Sequence, residues 1–133
     1  MIREIVRGDQ IRTQRELAEK LQAQGYDCTQ ATISRDITDM GLLKSQEGFY
    51  VLPEDMRMQR MVADLVEDIH TTLQLVVVTT APGAASGVAG AIDSVGIPGA
   101  LGSVAGDNTI LLAAASPEDA TRIMGTLNGL RRR

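Results

Sequence analysis

The chain has 133 residues, of which 44% are hydrophobic, 23% charged and only 2% aromatic, a balance typical of a soluble globular protein with one domain or two small ones. A single cysteine excludes an internal disulfide and any zinc site built from several cysteines. The net charge is −4, with nine basic and ten acidic side chains in residues 1–60 and four and seven in residues 61–133, so bulk charge gives no support to nucleic-acid binding.

The first residues, MIREIVRGDQIR, are charged throughout and do not have the pattern of a signal peptide. No apolar run is long enough to cross a bilayer. We therefore expect a cytoplasmic protein without a membrane partner. Within this stretch, IREIVRG predicts a short first helix.

Two helices with clear end signals follow. TQRELAEKLQAQG opens with Thr13 and has Glu16 three residues later, the spacing of a capping box, and Gly25 marks its end. TQATISRDITDMG has Thr29 as its expected N-cap and Gly41 as its stop. A buried stripe on this helix is predicted by three apolar residues at helical spacing: Ile33, Ile37 and Met40.

The segment LLKSQEGFYVLP predicts a β-hairpin after these helices. Two short apolar runs surround Ser45-Gln46-Glu47-Gly48, and Pro53 ends the second run. The order helix, helix, turn, helix and hairpin is that of a winged helix-turn-helix DNA-binding domain. We place this domain at residues 1–53.

A helix-turn-helix domain places the N-terminal residues of its second helix at base edges in the major groove. The exposed positions expected there are Gln30, Ala31, Ser34 and Arg35. Gln and Arg side chains pair with adenine and guanine, Ser reaches a base or a phosphate, and Ala can contact a thymine methyl. Arg12, Arg15 and Lys44 would contact the DNA backbone. The alternative is a small helical subdomain whose polar face is only solvated.

The middle of the chain carries weaker signals. Residues 54–60, EDMRMQR, are charged and are assigned as a linker between two domains. The apolar residues of MVADLVEDI, residues 61–69, have helical spacing, which slightly favours a helix, whereas the neighbouring TLQLVVVTT is a clear strand. IHTTL, which contains the single histidine His70, predicts a turn.

APGAASGVAGAIDSVG predicts a helix that starts near Pro82 and has two stripes. The apolar stripe contains Ala85, Val88, Ala89, Ile92 and Val95. The second stripe contains Ser86, Gly90 and Asp93. Gly87 and Gly90 each cost about 1 kcal/mol relative to Ala inside a helix, which indicates that another backbone or a ligand approaches closely.

Two further apolar runs flank Gly106-Asp107-Asn108 and predict a β-hairpin, which is followed by a last helix capped by Ser116. Taken alone, a Gly-Asp-Asn sequence is more often a hairpin turn without a binding role, and a residue such as Asp93 is more often a solvated helix residue than a ligand-binding one. If the hairpin tip packs near the preceding helix, in the same or a neighbouring subunit, Asp93 and Asp107 converge on one pocket. Two acids held together repel unless a cation lies between them. A guanidinium or an ammonium is the expected ligand, since a carboxylate accepts a planar fork of N–H groups well.

These motifs together resemble one known family. TQATISRDITDMGLLK resembles the DNA-binding motif of bacterial arginine repressors, and APGAASGVAGAID and LGSVAGDNTILL resemble their effector domain, in the right order and across nearly the whole chain. The resemblance implies an α/β domain at residues 61–133 with a four-stranded antiparallel sheet and two helices, in which MVADLVEDI is a strand. It also implies homotrimers that stack as hexamers, L-arginine bound between the trimers as co-repressor, and palindromic double-stranded operators of arginine biosynthesis genes.

The resemblance also assigns roles to individual positions. Asp93 matches a carboxylate that helps bind the α-amino end of the ligand, and Asp107 matches the first acid of the family's usual GDD. Ser34 and Arg35 match operator-contacting positions. Asn108 and Ser86 are the other two expected ligand-binding residues, and both differ from the family's pattern. Asn108 replaces the second acid of GDD, and Ser86 stands where Gln or His is common. The loss of one charge implies weaker arginine binding, altered ligand preference, or hexamers that depend less on ligand.

Three other function classes stay open at this point. One is a regulator of the same architecture that senses another effector, and another is a DNA-architectural hexamer in which the ligand is dispensable. The third is an enzyme, but the sequence contains no visible nucleophile–base pair, phosphate-binding loop or metal cluster. We therefore expect no enzymatic activity, catalytic residue, metal or cofactor.

Overall fold

The computed structural model describes residues 2–26 and 29–131, with Gln30 described by its backbone alone. The chain divides into two compact units, Met1–Met56 and Arg57–Arg133. Cys28 and the last two arginines lie outside the described residues.

The first unit contains the predicted helices and hairpin. In chain order these are α1 (Ile2–Gly8), α2 (Gln14–Ala23), α3 (Gln30–Met40), β1 (Leu43–Lys44) and β2 (Tyr50–Val51). The Thr13 hydroxyl accepts a hydrogen bond from Glu16 N, and the Glu16 carboxylate reaches back to Arg12 N. Gly41 ends α3 in the left-handed conformation, with φ of 67°. The aliphatic core consists of Ile5, Val6, Ile11, Leu17, Leu21, Ile33, Ile37 and Leu52.

Residues 54–60, predicted to be a linker, are helical. They belong to α4, which spans Pro53–Leu65. Pro53 occupies the first helical position, where no backbone N–H is needed, and Glu54 and Asp55 place negative charge at the positive end of the helix dipole. The charged residues that led to the prediction of a linker therefore belong to the start of a helix.

The second unit contains the predicted four-stranded antiparallel sheet. Its strands are β3 (Val66–Thr72), β4 (Leu75–Thr80), β5 (Ala100–Ala105) and β6 (Thr109–Ala114), in the order β3-β4-β6-β5. The unit also contains α5 (Ala85–Val95), α6 (Pro117–Arg131) and the part of α4 from Arg57 onward, whose Met58 and Val62 lie in the core of this unit. Ser116 caps α6 by accepting a hydrogen bond from Asp119 N, as the sequence indicates.

The segment MVADLVEDI combines both expectations. It is helical up to Leu65, as its periodicity predicts, and is a strand from Val66, as the resemblance implies. The turn predicted at IHTTL is wrong, because His70 lies within β3 and pairs with Val77. The chain turns instead at Leu73, which has a positive φ of 50°. A helix and a strand meet here, between Leu65 and Val66, and no glycine or proline marks the boundary.

The two faces of the sheet have different environments. On one face, strand side chains join residues of α5 and α6 in a single aliphatic core that includes Ile69, Val76, Val78, Val88, Ile92, Ile110, Leu112, Ile123 and Leu127. On the other face, His70, Val77, Leu111 and Val104 form a row across all four strands. Val104 and Leu111 are 65% and 41% exposed, so this face offers apolar surface to solvent. None of the described helices has the length and apolar character needed to span a membrane.

Candidate DNA interface and effector site

The exposed face of α3 carries three of the four predicted base-contacting residues. Ala31, Ser34 and Arg35 are exposed, whereas Ile33 and Ile37 are buried on the opposite side of the helix. Gln30 begins α3, which places it in the first turn. Spacings of three and four residues put these positions on one helical face. The helix therefore presents a short polar surface that starts at its N-terminus.

The three basic residues predicted to contact the DNA backbone differ in their surroundings. The Arg15 side chain is 90% exposed and lies 3.7 Å from Glu19, a weak surface pair. Lys44 Nζ donates to the carbonyl of Arg12 at 2.8 Å. The Arg12 guanidinium lies 4.2 Å from the centroid of the Phe49 ring. Arg12 and Lys44 thus make contacts within the domain that sequence reasoning missed, because their partners lie more than 30 positions away.

Two other arginines of the first unit are paired with acids. Arg3 forms an ion pair with Glu54, and Arg7 forms two hydrogen bonds with Asp55 at 2.9 and 3.0 Å. These pairs join α1 to the first turn of α4. The basic character of α1 is therefore largely neutralised inside the unit.

The hairpin tip Gly106-Asp107-Asn108 lies against the N-terminal end of α5. Asp107 accepts hydrogen bonds at two points, from Gly83 N to its carboxylate at 3.3 Å and from Ala85 N to its carbonyl at 3.2 Å. The carbonyl of Asn108 accepts from Thr80 N at 2.8 Å. The turn therefore has a structural role, and it fixes an exposed carboxylate beside the positive end of a helix.

Asn108 uses its side chain locally. Its Oδ1 accepts a hydrogen bond from the Thr109 hydroxyl at 3.1 Å. The amide has no ionised oxygen to offer a cation, so the tip carries one carboxylate, that of Asp107. Asn108 is exposed, which leaves its amide accessible from solvent.

Asp93 lies on the third turn of α5 and faces the edge strand β5. Both of its carboxylate oxygens are 3.1 Å from the hydroxyl of Ser103. Sequence reasoning did not single out Ser103. Side chains alternate along a strand, which places Ser103 and Ala105 on the same face of β5, and both are less exposed than Val104 between them.

The stripe predicted on α5 is exposed along its length. Ser86, Gly90 and Asp93 are all exposed, and a Cβ added to Gly90 would meet no described atom within 4 Å. At Gly87, in contrast, a Cβ would lie 3.1 Å from the methyl group of Met61. The close approach predicted for this helix is therefore accounted for at Gly87 by a side chain of the same unit, while the Gly90 surface is open.

Asp93 and Asp107 lie at different places along α5. Asp107 is held before the first turn, whereas Asp93 is eight residues beyond Ala85, about 12 Å along the helix axis. In the part of the chain that is described, the two carboxylates share no hydrogen-bond partner. No group of three or more His, Cys, Asp or Glu side chains among the described residues is arranged to hold a metal ion. One chain thus presents two exposed carboxylates at separate places.

Comparison with known proteins shows similarity over both units. A family model described as "Arginine repressor, DNA binding domain" matches residues 1–58, and one described as "Arginine repressor, C-terminal domain" matches residues 62–129. A protein named arginine repressor from Carboxydothermus hydrogenoformans is 44% identical, with 92% of this chain and 89% of the relative covered. Relatives of the same name from Desulforudis audaxviator and Heliobacterium modesticaldum are 42% and 39% identical. These two matches cover 96% and 92% of this chain and 91% and 89% of the relatives.

Proposed function

The chain belongs to the arginine repressor family, and from that membership we propose that it is an arginine-responsive, DNA-binding transcriptional repressor of arginine metabolism genes. One observation carries the DNA-binding part. The α3 helix presents Ala31, Ser34 and Arg35 on one exposed face and buries Ile33 and Ile37 on the other. We assign residues 1–53 to DNA binding and residues 61–133 to effector binding and oligomerisation. The protein acts by binding and not by catalysis, in the cytoplasm.

In this proposal the first turns of α3 enter the major groove of the operator. Arg35 donates two hydrogen bonds to a guanine, Ser34 contacts a base or a phosphate, and Gln30 pairs with an adenine. Ala31 lies against a thymine methyl. Arg15 and Lys44 contact phosphates and set the register of the domain on the duplex.

L-arginine is the proposed co-repressor, bound by Ser86, Asp93, Asp107 and Asn108. The two acids are exposed on one chain and separated along α5, so an arginine with cationic groups at both ends can use both, or can combine acids of neighbouring chains. A guanidinium and an ammonium each form charge-assisted hydrogen bonds with a carboxylate. The ligand then neutralises acids that would otherwise repel each other when subunits assemble.

A homo-oligomer, a trimer that stacks into a hexamer, is part of the proposal. The exposed face of the sheet supports it, because Leu75, Val104 and Leu111 offer apolar surface that a second copy would bury. Each DNA-binding unit is close to neutral, so a single copy would bind weakly. Several copies that reach their half-sites together increase the overall affinity greatly.

Operator affinity measured across an arginine series tests this function. A duplex selected from a random-sequence pool with the native protein serves as the probe, at two or more salt concentrations. We expect sequence-specific binding that arginine strengthens. If operator affinity is sequence-specific but does not change with arginine concentration, the DNA-binding function is supported and the role of arginine as effector is ruled out.

A second candidate is a regulator or DNA-architectural hexamer of the same fold with weak or altered dependence on arginine. The neutral amide of Asn108, already hydrogen-bonded to Thr109, favours it, as does the short side chain of Ser86. Calorimetric titration with arginine, ornithine, lysine and citrulline separates the two candidates. Heat with another amino acid and none with arginine at millimolar concentration supports the second.

A further inference from the structure

The hairpin of the first unit is too small to hold its own position. We call residues 43–51 the wing; its strands pair at two places, Leu43 with Val51 and Lys44 with Tyr50. An isolated two-stranded hairpin is at best marginally stable in water. The orientation of the wing therefore depends on contacts outside its own ladder.

The base of the wing is attached to the segment just before α2. Tyr50 N donates to the carbonyl of Ile11 at 2.7 Å. Lys44 Nζ donates to the carbonyl of Arg12 at 2.8 Å and lies 4.9 Å from the centroid of the Tyr50 ring. The carbonyls of Ile11 and Arg12 thus accept two hydrogen bonds that anchor the base of the wing.

The tip of the wing, residues 45–49, is held by one side chain. Arg12 places its guanidinium 4.2 Å from the centroid of the Phe49 ring and donates from Nη1 to the carbonyl of Glu47 at 2.9 Å. Among the described residues outside the wing, Arg12 is the one whose side chain hydrogen bonds to the tip. The tip itself is closed by Gly48 N donating to the Ser45 carbonyl at 2.9 Å, with Gly48 at φ of 88°.

We propose that Arg12 is a positioning residue that fixes the wing tip against the start of α2, so that the wing meets DNA in one orientation. The proposal rests on the proposed DNA-binding function and replaces the expectation that Arg12 contacts a phosphate. A guanidinium can stack on a ring and donate in its own plane at the same time. A lysine ammonium keeps the charge but lacks this planar geometry.

The first arm of the test needs no DNA. Hydrogen exchange of the Ser45 and Gly48 amides, measured by NMR in the free protein, reports how well the tip is held. We expect exchange about fivefold faster in Arg12→Lys and Arg12→Ala, equivalent to about 1 kcal/mol. Arg15→Ala removes an equal charge without touching the wing and is expected to leave these amides unchanged. Equal exchange in the native chain and Arg12→Lys would overturn the proposal.

The second arm measures affinity for the selected duplex. Positioning predicts that Arg12→Lys weakens binding about as much as Arg12→Ala, by about fivefold. A phosphate contact predicts that Arg12→Lys binds like the native chain, which would also overturn the proposal. Arg15→Ala serves as the contrast. Because it loses a phosphate contact, the slope of log binding constant against log salt concentration should become smaller by about one. If the native chain fails to select any duplex, the DNA-binding function fails while the exchange arm still decides whether Arg12 holds the tip.

Discussion

The Ser103 hydroxyl lies 3.1 Å from both carboxylate oxygens of Asp93 and joins the edge strand β5 to helix α5. The strand and the helix both pack on the aliphatic core of the second unit, so their spacing is fixed. The hydroxyl therefore restrains the rotamer of a carboxylate that is otherwise exposed. In the proposed function this restraint prepares Asp93 for the ligand.

Replacing Ser103 with Ala is expected to weaken arginine binding by about fivefold, because Asp93 loses the donor that orients it. Ser103→Thr keeps the hydroxyl and should retain most of the affinity. Ser94→Ala is the matched control, since the Ser94 hydroxyl donates to the Ala91 carbonyl of its own helix. Isothermal titration calorimetry measures all three. Equal affinity of Ser103→Ala and the native chain would show that Asp93 needs no orientation by strand β5.

Asn108→Asp restores a second acid at the hairpin tip and should tighten arginine binding by about fivefold, since hydrogen bonds to charged groups are about twice as strong as neutral ones. The same change should lower the fraction of hexamer without ligand, because more uncompensated acids then meet. Calorimetry and native mass measurement check the two effects. Asn128→Asp on α6 adds the same charge elsewhere in the unit. If both variants behave alike, net charge and not the tip is responsible.

Leu111→Glu should dissociate the oligomer. Its side chain lies in the row that crosses the exposed sheet face, and a carboxylate buried there without a partner is strongly unfavourable. Analytical ultracentrifugation reports the mass, and circular dichroism confirms that the sheet is intact. Thr126→Glu, on an exposed position of α6, is the control. An unchanged mass for Leu111→Glu would place the subunit contact elsewhere.

Gly99→Ala should destabilise the second unit by about 2 kcal/mol. Gly99 has φ of 88°, and a Cβ there would lie 2.6 Å from both Arg122 Nη2 and Asp119 Cγ. The methyl group would separate this ion pair and the hydrogen bond from Arg122 to the Pro98 carbonyl. Gly96→Ala isolates the backbone cost, because Gly96 has φ of 70° but no described atom within 4 Å of an added Cβ. Denaturant unfolding measures the free energy of unfolding of both variants. An equal decrease in Gly99→Ala and Gly96→Ala would mean that moving the Asp119–Arg122 ion pair costs no stability.

We expect the stability of the second unit to depend on pH through Asp119. The hydrogen bond from Arg122, and then that with Ser116, lowers the pKa of Asp119 below its ordinary value of 3.8. A lowered pKa in the folded state means that the ionised form stabilises the fold above about pH 4, and that this stabilisation is lost as pH falls through the folded pKa.

Melting temperatures between pH 2 and pH 7 test this dependence. Asp119→Asn should melt lower than the native chain at neutral pH and should lose less stability on acidification. Glu118→Gln, one position away in the first turn of α6, is the control. Parallel pH curves for Asp119→Asn and the native chain would contradict the assignment.

The helix boundaries of the first unit were predictable from the sequence. Thr13, Thr29 and Gly41 act on backbone groups within about one helical turn, so their effect is visible in the residues themselves. The same holds for Ser116 and for the hairpin at Gly106-Asp107-Asn108. The family resemblance added the number and direction of the strands, which the sheet confirms.

Local sequence signals did not predict the boundaries of elements that meet without a glycine, a proline or a capping residue. The charged residues 54–60 carried no breaker and became the first turns of α4, and the change from helix to strand falls between Leu65 and Val66. Apolar residues at 61–69 satisfy both periodicities in part. Pairing of β3 with β4 decides where the strand begins.

Most helix ends, the hairpin turns and the exposed positions Ala31, Ser34 and Asp93 could be predicted from the sequence, because caps and hydrophobic periodicity act between residues a few positions apart. Three contacts could not be predicted in this way: Ser103 with Asp93, Asp107 with the residues before α5, and Arg12 with the wing tip. Each of these contacts joins residues ten or more positions apart. Their distances depend on how helices and strands pack, and that packing minimises the exposed apolar area of the whole unit and not of any single segment.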